Sequence, residues 1–524
     1  MRPVGDGKYG CVFFGNDDLT PQGGVNEKGL FFVGQYEFKP GLLTVNAYAR
    51  TVTTHSAPGA PPVARHADRY PDKLCTQRTP MDSHWQLRVS RDKRTLVKAD
   101  GSPWFWLGDT AWALFIHLDR DEIHRYFEDR QKKGFSVIQG VVLMGYNVDF
   151  NAPNTYGHRP LVDSDPTRPD TGGAENFWTH VDFIIDTAAQ YGLHIGLLPT
   201  WGYHIGGNQN TPIVFRRESA ETYARWIANR YKDRPNIIWI NGGDIKGEEN
   251  GDTDIEIWRT MGRVYKQTCP DHLVTFHPCG TRSSSYNFHG DDWLDFNMIQ
   301  SGHRDKGGRN DDMIAADYAR EPVKPVLDGE PRYEDHPVGW NPQKGFFHDY
   351  DARQAAYFSL FAGSFGHTYG HVNLWRFNVP GKVRTKERFS MLDLYWVDLL
   401  DSPGAWQMHY VRKLMTSRPQ QGRVPDPSIL ATNYGGERRQ LATRGDGHVF
   451  IYAPYGDPIE IDPDKIPWAK SGYQWYDPRT GMSLFSSEQA TENPLRFQPP
   501  GNPCRTNDWV LVIDDKTKRN SAPQ

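Results

Sequence analysis

Short apolar runs and helix-period stretches alternate through the middle of the chain, from about residue 85 to about residue 375. Residues 85–89 and 95–99 read as a hairpin, followed by the turn Asp100-Gly-Ser-Pro103. Beyond it, apolar runs at 104–108, 137–144, 194–201, 236–244, 272–277, 294–300, 325–327 and 367–375 predict eight strands. Between them, residues 120–133, 177–191, 215–231, 255–267, 313–319 and 352–362 carry helical periodicity, with Gly134 and Gly192 as stop signals. Strand alternating with helix predicts parallel strands, and eight such units predict a closed (β/α)8 TIM barrel. After about residue 415 the pattern changes to short β-type runs at 429–432, 449–452, 474–476 and 509–513, with the turn Asp477-Pro-Arg-Thr-Gly481 among them. They predict a small C-terminal all-β sandwich over 420–515, with a tail at 516–524. The barrel domain is expected to span 84–415, and 1–83 to be an irregular N-terminal segment.

The stretch Asn236-Ile-Ile-Trp-Ile-Asn-Gly-Gly-Asp244 sets the chemistry. A strand apolar on both faces breaks at a glycine pair and delivers a carboxylate at its end. Lys324-Pro-Val-Leu-Asp-Gly-Glu330 repeats the design. In the predicted barrel Asp244 follows the fourth strand and Glu330 the seventh, and all C-terminal strand ends share one mouth. Two carboxyls facing each other there can split an acetal, one protonating the leaving oxygen while the other stays ionised. Asp244 takes the acid/base role and Glu330 the nucleophile role. The structural alternatives are a helix N-cap for Asp244 and an ion pair with Arg332 for Glu330.

Other strand ends nominate substrate contacts: Asp109 and Trp112 after the first, Trp201, Tyr203 and His204 after the third, and Asn241 within the fourth. His277, His303 and Trp375 lie at later strand ends, with His367 and His371 nearby. Aromatic residues make up 13% of the chain, including 17 Trp, which supplies rings on which the C–H face of a sugar can pack. No HExxH or comparable ligand spacing occurs, so hydrolysis without metal or cofactor is expected. Neither a P-loop nor a GxGxxG precedes a helix, which disfavours nucleotide chemistry.

Sixty basic against 64 acidic residues leave a formal charge of −4, and no Lys/Arg block suggests a nucleic-acid partner. No run of about 18 apolar residues predicts a membrane span. The five cysteines are scattered, without a CxxC, and whether Cys269 and Cys279 pair is left open by the sequence. The opening Met1-Arg-Pro-Val-Gly lacks a signal-peptide apolar core.

Three motifs, Trp104-Phe-Trp-Leu-Gly-Asp-Thr-Ala-Trp112, Trp239-Ile-Asn-Gly-Gly-Asp244 and Asp328-Gly-Glu-Pro-Arg-Tyr-Glu334, resemble those of the apiosidase-like glycoside hydrolases. The resemblance covers about residues 85–515. It implies a TIM barrel followed by a β domain labelled collagen-binding, a carbohydrate substrate in plant-type polysaccharide side chains, and a secreted or periplasmic location. The wider clan of retaining barrel glycosidases places its acid/base after strand four and its nucleophile after strand seven, which carries over onto Asp244 and Glu330. The usual Asn-Glu pair is here Asn241-Gly-Gly-Asp244, a shorter acid further along the loop. The alternative function is a non-catalytic carbohydrate-binding or surface-adhesion protein with a degenerate barrel. Gly7–Gly15 and Gly23–Phe32 resemble a piece of the choloylglycine-hydrolase-like amidases, but Cys11 is not placed as the N-terminal nucleophile those enzymes use.

Overall fold

The computed structural model describes residues 85–145, 149–207, 211–381, 394–489 and 495–518, together with the backbone of six short strands before them. Residues 1–78 and 79–524 form two compact units. In the first, Cys11–Gly15, Pro21–Asn26, Phe31–Val33 and Tyr48–Arg50 pair as an antiparallel sheet. Residues 51–83 of the segment expected to be irregular lie outside the described residues.

The second unit opens with the predicted hairpin, Leu87–Val89 against Leu96–Lys98, to which Pro103–Trp104 adds a third strand. The barrel strands follow as β1 (Trp106–Thr110), β2 (Val137–Leu143), β3 (His194–Thr200), β4 (Ile237–Ile245), β5 (Val274–Pro278), β6 (Asn297–Gln300), β7 (Val326–Asp328) and β8 (Gly366–Tyr369). Their helices are α1 (Arg120–Lys132), α2 (Phe177–Gln190), α3 (Arg217–Tyr231), α4 (Asp252–Thr268), α5 (Asn310–Tyr318), α6 (Asp349–Phe361) and α7 (Pro403–Thr416). Parallel pairing runs β5-β4-β3-β2-β1-β8-β7-β6, and a short strand, Arg282–Ser283, adds antiparallel to β6. The seam between β5 and β6 is drawn together by scattered bonds. Asp295 N donates to Val274 O at 2.9 Å, Val274 N to Asp295 Oδ2 at 2.7 Å, and Thr275 Oγ1 to Phe296 O at 2.7 Å.

Local signals explain several helix starts. Asp119 and Glu122 form a capping box on α1, and Asn176 with Thr179 forms one on α2. The barrel interior is close-packed. A Cβ on Gly196 would stand 2.9 Å from Ile240 Cδ1 and 3.2 Å from Gln139 Cγ, so glycine is what the facing β2 and β4 side chains leave room for. The last predicted strand is shorter than expected: β8 ends at Tyr369, and the chain turns through 371–377.

The C-terminal β domain is antiparallel, as expected, but lopsided. Six strands form the main sheet, in the order Val424–Pro425, Leu441–Gly445, His448–Ala453, Trp509–Asp515, Ser471–Asp477 and Met482–Gln489. A two-stranded ribbon, Ile459–Ile461 with Leu495–Phe497, packs over it around Ile451, Trp475 and Leu511. The predicted strand at 429–432 is instead a 3-10 turn and a single bridge, because Pro427 opens a turn capped by Asp426. This domain shares its core with the barrel. Tyr452 stacks on Tyr357 of α6 at 4.6 Å, and Arg353 makes a buried bidentate pair with Asp508 at 2.8 and 2.7 Å.

Asp109, nominated for substrate, serves the fold instead. It sits within β1, fully buried, and accepts from Tyr126 Oη at 2.5 Å and Arg130 Nε at 2.6 Å, both on α1. Burial pushes its carboxyl up against the pull of Arg130. Replacing one member of such a pair strands the other charge in the interior, which typically costs about 3–5 kcal/mol. Arg130→Met is therefore expected to lower unfolding stability by about that amount, and Arg130→Met with Asp109→Asn by clearly less; urea unfolding of both variants checks it.

Candidate active site

Asp244 reaches the barrel mouth through a bulge in β4. The β4–β5 register pairs Gly242 with His277 and then Ile245 with Pro278, so Gly243 and Asp244 are looped out of the ladder. Gly242 and Gly243 have φ of +88° and +114°, and Asp244 itself sits at +53°. A Cβ on Gly242 would lie 2.2 Å from His277 O, and one on Gly243 2.7 Å from the Trp201 ring, so the Gly-Gly pair is sterically required. The expected N-cap alternative does not hold: α4 begins after Gly251, well beyond Asp244.

Glu330 follows β7 at once. Gly329 N donates to Ile299 O at 2.9 Å and Gly302 N to Glu330 O at 3.0 Å, which fixes the turn against β6. A Cβ on Gly329 would strike Met298 Sδ at 2.5 Å. Glu330, a residue 5% exposed, has its side chain between two imidazoles. His303 Nδ1 accepts the Tyr333 backbone N–H at 3.4 Å, so its proton is on Nε2, which donates to Glu330 Oε1 at 3.1 Å. His277 Nε2 comes within 3.1 Å of Oε2, an ion-pair distance, but off the line of a hydrogen bond; neither atom has another partner. Arg332 is not the partner the sequence suggested: it bonds Lys306 O and Gln354 Oε1.

The two carboxyls are driven in opposite directions. Burial, then the negative charge of Glu330, pushes Asp244 up to about 6, although Gln300 Nε2 donates to its Oδ1 at 2.9 Å. Burial works the same way on Glu330, but His277 and His303 outweigh it and hold that carboxyl well below its usual range. One acid is thus poised to carry a proton and the other to stay charged, in a site where each feels the other.

Two nominated rings, Trp112 and Trp201, reach this pair through His277. Trp112 donates from Nε1 to Tyr333 Oη at 3.2 Å, and its ring meets those of His277 at 5.3 Å and Trp201 at 5.4 Å. Tyr203, half-buried, lies edge-on to Trp201 at 6.3 Å. Trp375 is buried in the turn after β8, where its carbonyl accepts from Ala113 N at 3.0 Å. Others turn elsewhere. His204 is fully buried with Nε2 at 3.2 Å from Met144 O, and burial lowers it to about 4. Asn241 faces the helix layer, Nδ2 donating to Trp258 O at 3.4 Å, because side chains alternate along β4. His367 is buried at β8, and His371 pairs with Asp335 at 3.1 Å. Gln300 and Tyr333 were missed by the sequence reading; Gln300 could have been found as the residue ending β6.

The acids of the Asp328–Glu334 motif have three fates. Asp328, raised to about 6 by burial, accepts from Ser301 Oγ at 2.8 Å within the barrel wall. Glu334 accepts from Tyr369 Oη at 2.5 Å and from Gly404 N, at the start of α7, at 3.1 Å. Only Glu330 meets Asp244. Among the described residues no cluster of three or more His, Cys, Asp or Glu side chains is arranged to hold a metal ion, and no helix is long and apolar enough to cross a membrane. Cys269 and Cys279 are free thiols.

Residues 90–421, well over half of the chain, match the family model "Apiosidase-like, catalytic domain". Residues 424–514 match "Putative collagen-binding domain of a collagenase". The chain is similar to a solved structure described as a glycoside hydrolase family 5 protein from Bacteroides vulgatus ATCC 8482. The identity is 35% over 84% of this chain and 96% of that one, with a TM-score of 0.77. A second, described as "Glycoside hydrolase", is 36% identical over 83% of this chain and 97% of that one, with a TM-score of 0.75. No curated protein matches the chain.

A folded carboxyl raised above its unfolded value adds stability at low pH that is lost as pH rises through the folded value. For Asp244 that window runs from its ordinary 3.8 to about 6. Asp244→Asn cannot ionise, so its melting temperature is expected to gain steadily on the wild type between pH 4 and pH 7. Scanning calorimetry across that range checks it, and a difference that does not change with pH would contradict the assignment.

Proposed function

We infer, since the chain belongs to the apiosidase-like family of glycoside hydrolases, that it cleaves a glycosidic bond with Asp244 as acid/base and Glu330 as nucleophile. The observation that carries this reading is the opposed poise of two neighbouring carboxyls at one barrel mouth. Glu330, kept ionised by the two imidazoles, attacks the anomeric carbon while Asp244 donates its proton to the leaving oxygen. The deprotonated Asp244 then activates water, whose attack on the glycosyl ester regenerates both groups and retains the anomeric configuration. Retention rather than inversion is supported by the resemblance to the retaining barrel glycosidases, with Asp244 at the end of the fourth strand and Glu330 just after the seventh. The family points to side chains of plant-type polysaccharides as the substrate. The buried ring cluster of Trp112, Trp201 and His277 supplies apolar walls for a sugar beside the acids.

Rates on pectic and hemicellulosic oligosaccharides test this. Glu330→Gln is expected to lower kcat on the order of a thousandfold or more on every substrate. Asp244→Asn is expected to lose about 10²–10⁴-fold, with much of it restored on a 4-nitrophenyl glycoside whose leaving group needs no proton. The kcat/KM profile is expected to fall above about pH 6 as Asp244 loses its proton, and to hold on the acid side below the usual carboxylate range. Near-normal turnover by Glu330→Gln, or an inverted product anomer by NMR, would overturn the assignment.

A further inference from the structure

One large aromatic ring near the site is neither buried nor used by the mechanism above. Trp340, in the loop between β7 and α6, is 41% exposed. Its ring lies 6.0 Å from that of His303 and 5.7 Å from that of His336, and His303 is the residue that donates to Glu330 at 3.1 Å. The indole is thus separated from the candidate nucleophile by one imidazole.

The loop that carries it is tightly held. Gly339 N donates to His303 O at 2.8 Å, Val338 N to Gly345 O at 2.9 Å, and Pro337 bridges to Phe346. Gly339 and Trp340 have φ of +59° and +58°. A bulky side chain in the left-handed region is strained, and such strain persists where the surroundings impose it, often at ligand sites. Here the backbone bond to His303 imposes it, and the result is an indole presented to solvent beside the acids.

Other exposed aromatic rings among the described residues have protein partners. Trp406 donates to Asp401 and lies against Lys133, Tyr286 lies under Arg282 and Arg320, and the Tyr156 hydroxyl accepts from Arg120 N. For Trp340 no hydrogen bond from the indole N–H occurs among the described residues, and its only ring neighbours are the two histidines. An apolar face with a free N–H on its edge suits a sugar ring, whose C–H face packs on the indole while a hydroxyl accepts from the nitrogen.

We propose that Trp340 is the platform of a second saccharide subsite, holding the sugar next to the one cleaved; this rests on the reading of Asp244 and Glu330 as the cleaving pair. The platform is built and pre-ordered by the same His303 that holds Glu330, so binding there aligns the chain across the acids.

The test uses the full chain carrying Glu330→Gln, with Trp340 intact or changed to Ala or Phe. Native electrophoresis is run through gels containing citrus pectin, arabinoxylan or galactomannan, with melting curves and mass by light scattering on each variant. The Trp340-intact protein is expected to be retarded by at least one glycan, Trp340→Ala roughly three- to tenfold less, and Trp340→Phe in between, at unchanged mass and melting. In the active background Trp340→Ala is expected to raise KM on oligosaccharides several-fold while kcat changes little. Equal migration of all three variants, no retardation in any gel, Phe behaving like Ala, or a dimer that Trp340→Ala dissociates would each overturn the subsite. Loss of turnover in Glu330→Gln is read separately, so failure of the cleaving pair and failure of the subsite give different results.

Discussion

The site depends on keeping one glutamate charged where a charge is costly. Glu330 is almost fully buried, and burial alone would drive it to protonate. The His303 N–H, aligned on one oxygen, and the His277 ring, close to the other, reverse that preference. The charge so retained then acts on Asp244, which lies near enough to be pushed further up by it. A single arrangement of imidazoles therefore produces both protonation states that acetal cleavage needs, one directly and one through the first.

The rest of the second unit holds that arrangement still. The β4 bulge is wedged between the His277 backbone and the Trp201 ring, so Asp244 has little freedom to swing back into the ladder. The loops after β6 and β7 are tied together, Gly302 to Glu330, Gly339 to His303, and Arg332 to Lys306. The C-terminal β domain joins the same network. Gln354 of α6 accepts from Arg332 and donates to Glu437 O at 3.3 Å, and Glu437 lies against Gly307 in the same loop as His303. With Arg353–Asp508 and Arg439–Asp311 also crossing the boundary, this face of the β domain is occupied by the barrel rather than offered to a partner.

Strain collects at the mouth as well. Asp244, Asp335, Trp340 and Phe377 all have positive φ, and each lies in a bulge or loop following β4, β7 or β8. Non-glycine residues reach that region only when their surroundings over-determine them, and the close packing beneath these loops supplies the constraint. The site is thus constrained in its backbone conformation and specialised in its electrostatics.

The order of strands and helices was legible in the sequence, because hydrophobic period and glycine stops are local signals. So was the pairing of Asp244 with Glu330, since glycine-terminated strands put both acids at one end of a barrel. Local pattern also mistook residues whose roles depend on facing. Asp109 and Asn241 sit in site-bearing motifs, yet one is consumed by Arg130 on α1 and the other turns to Trp258 on α4. Which strand face a side chain takes, and what already stands opposite it, are set by packing between segments far apart in the chain. For the same reason the sequence could nominate His277 and His303 as site residues but not assign them to Glu330. The chain by itself determined that two carboxyls would meet; only the tertiary structure, by bringing imidazoles to one of them and shielding both from water, pushed one towards its protonated form and the other away from it.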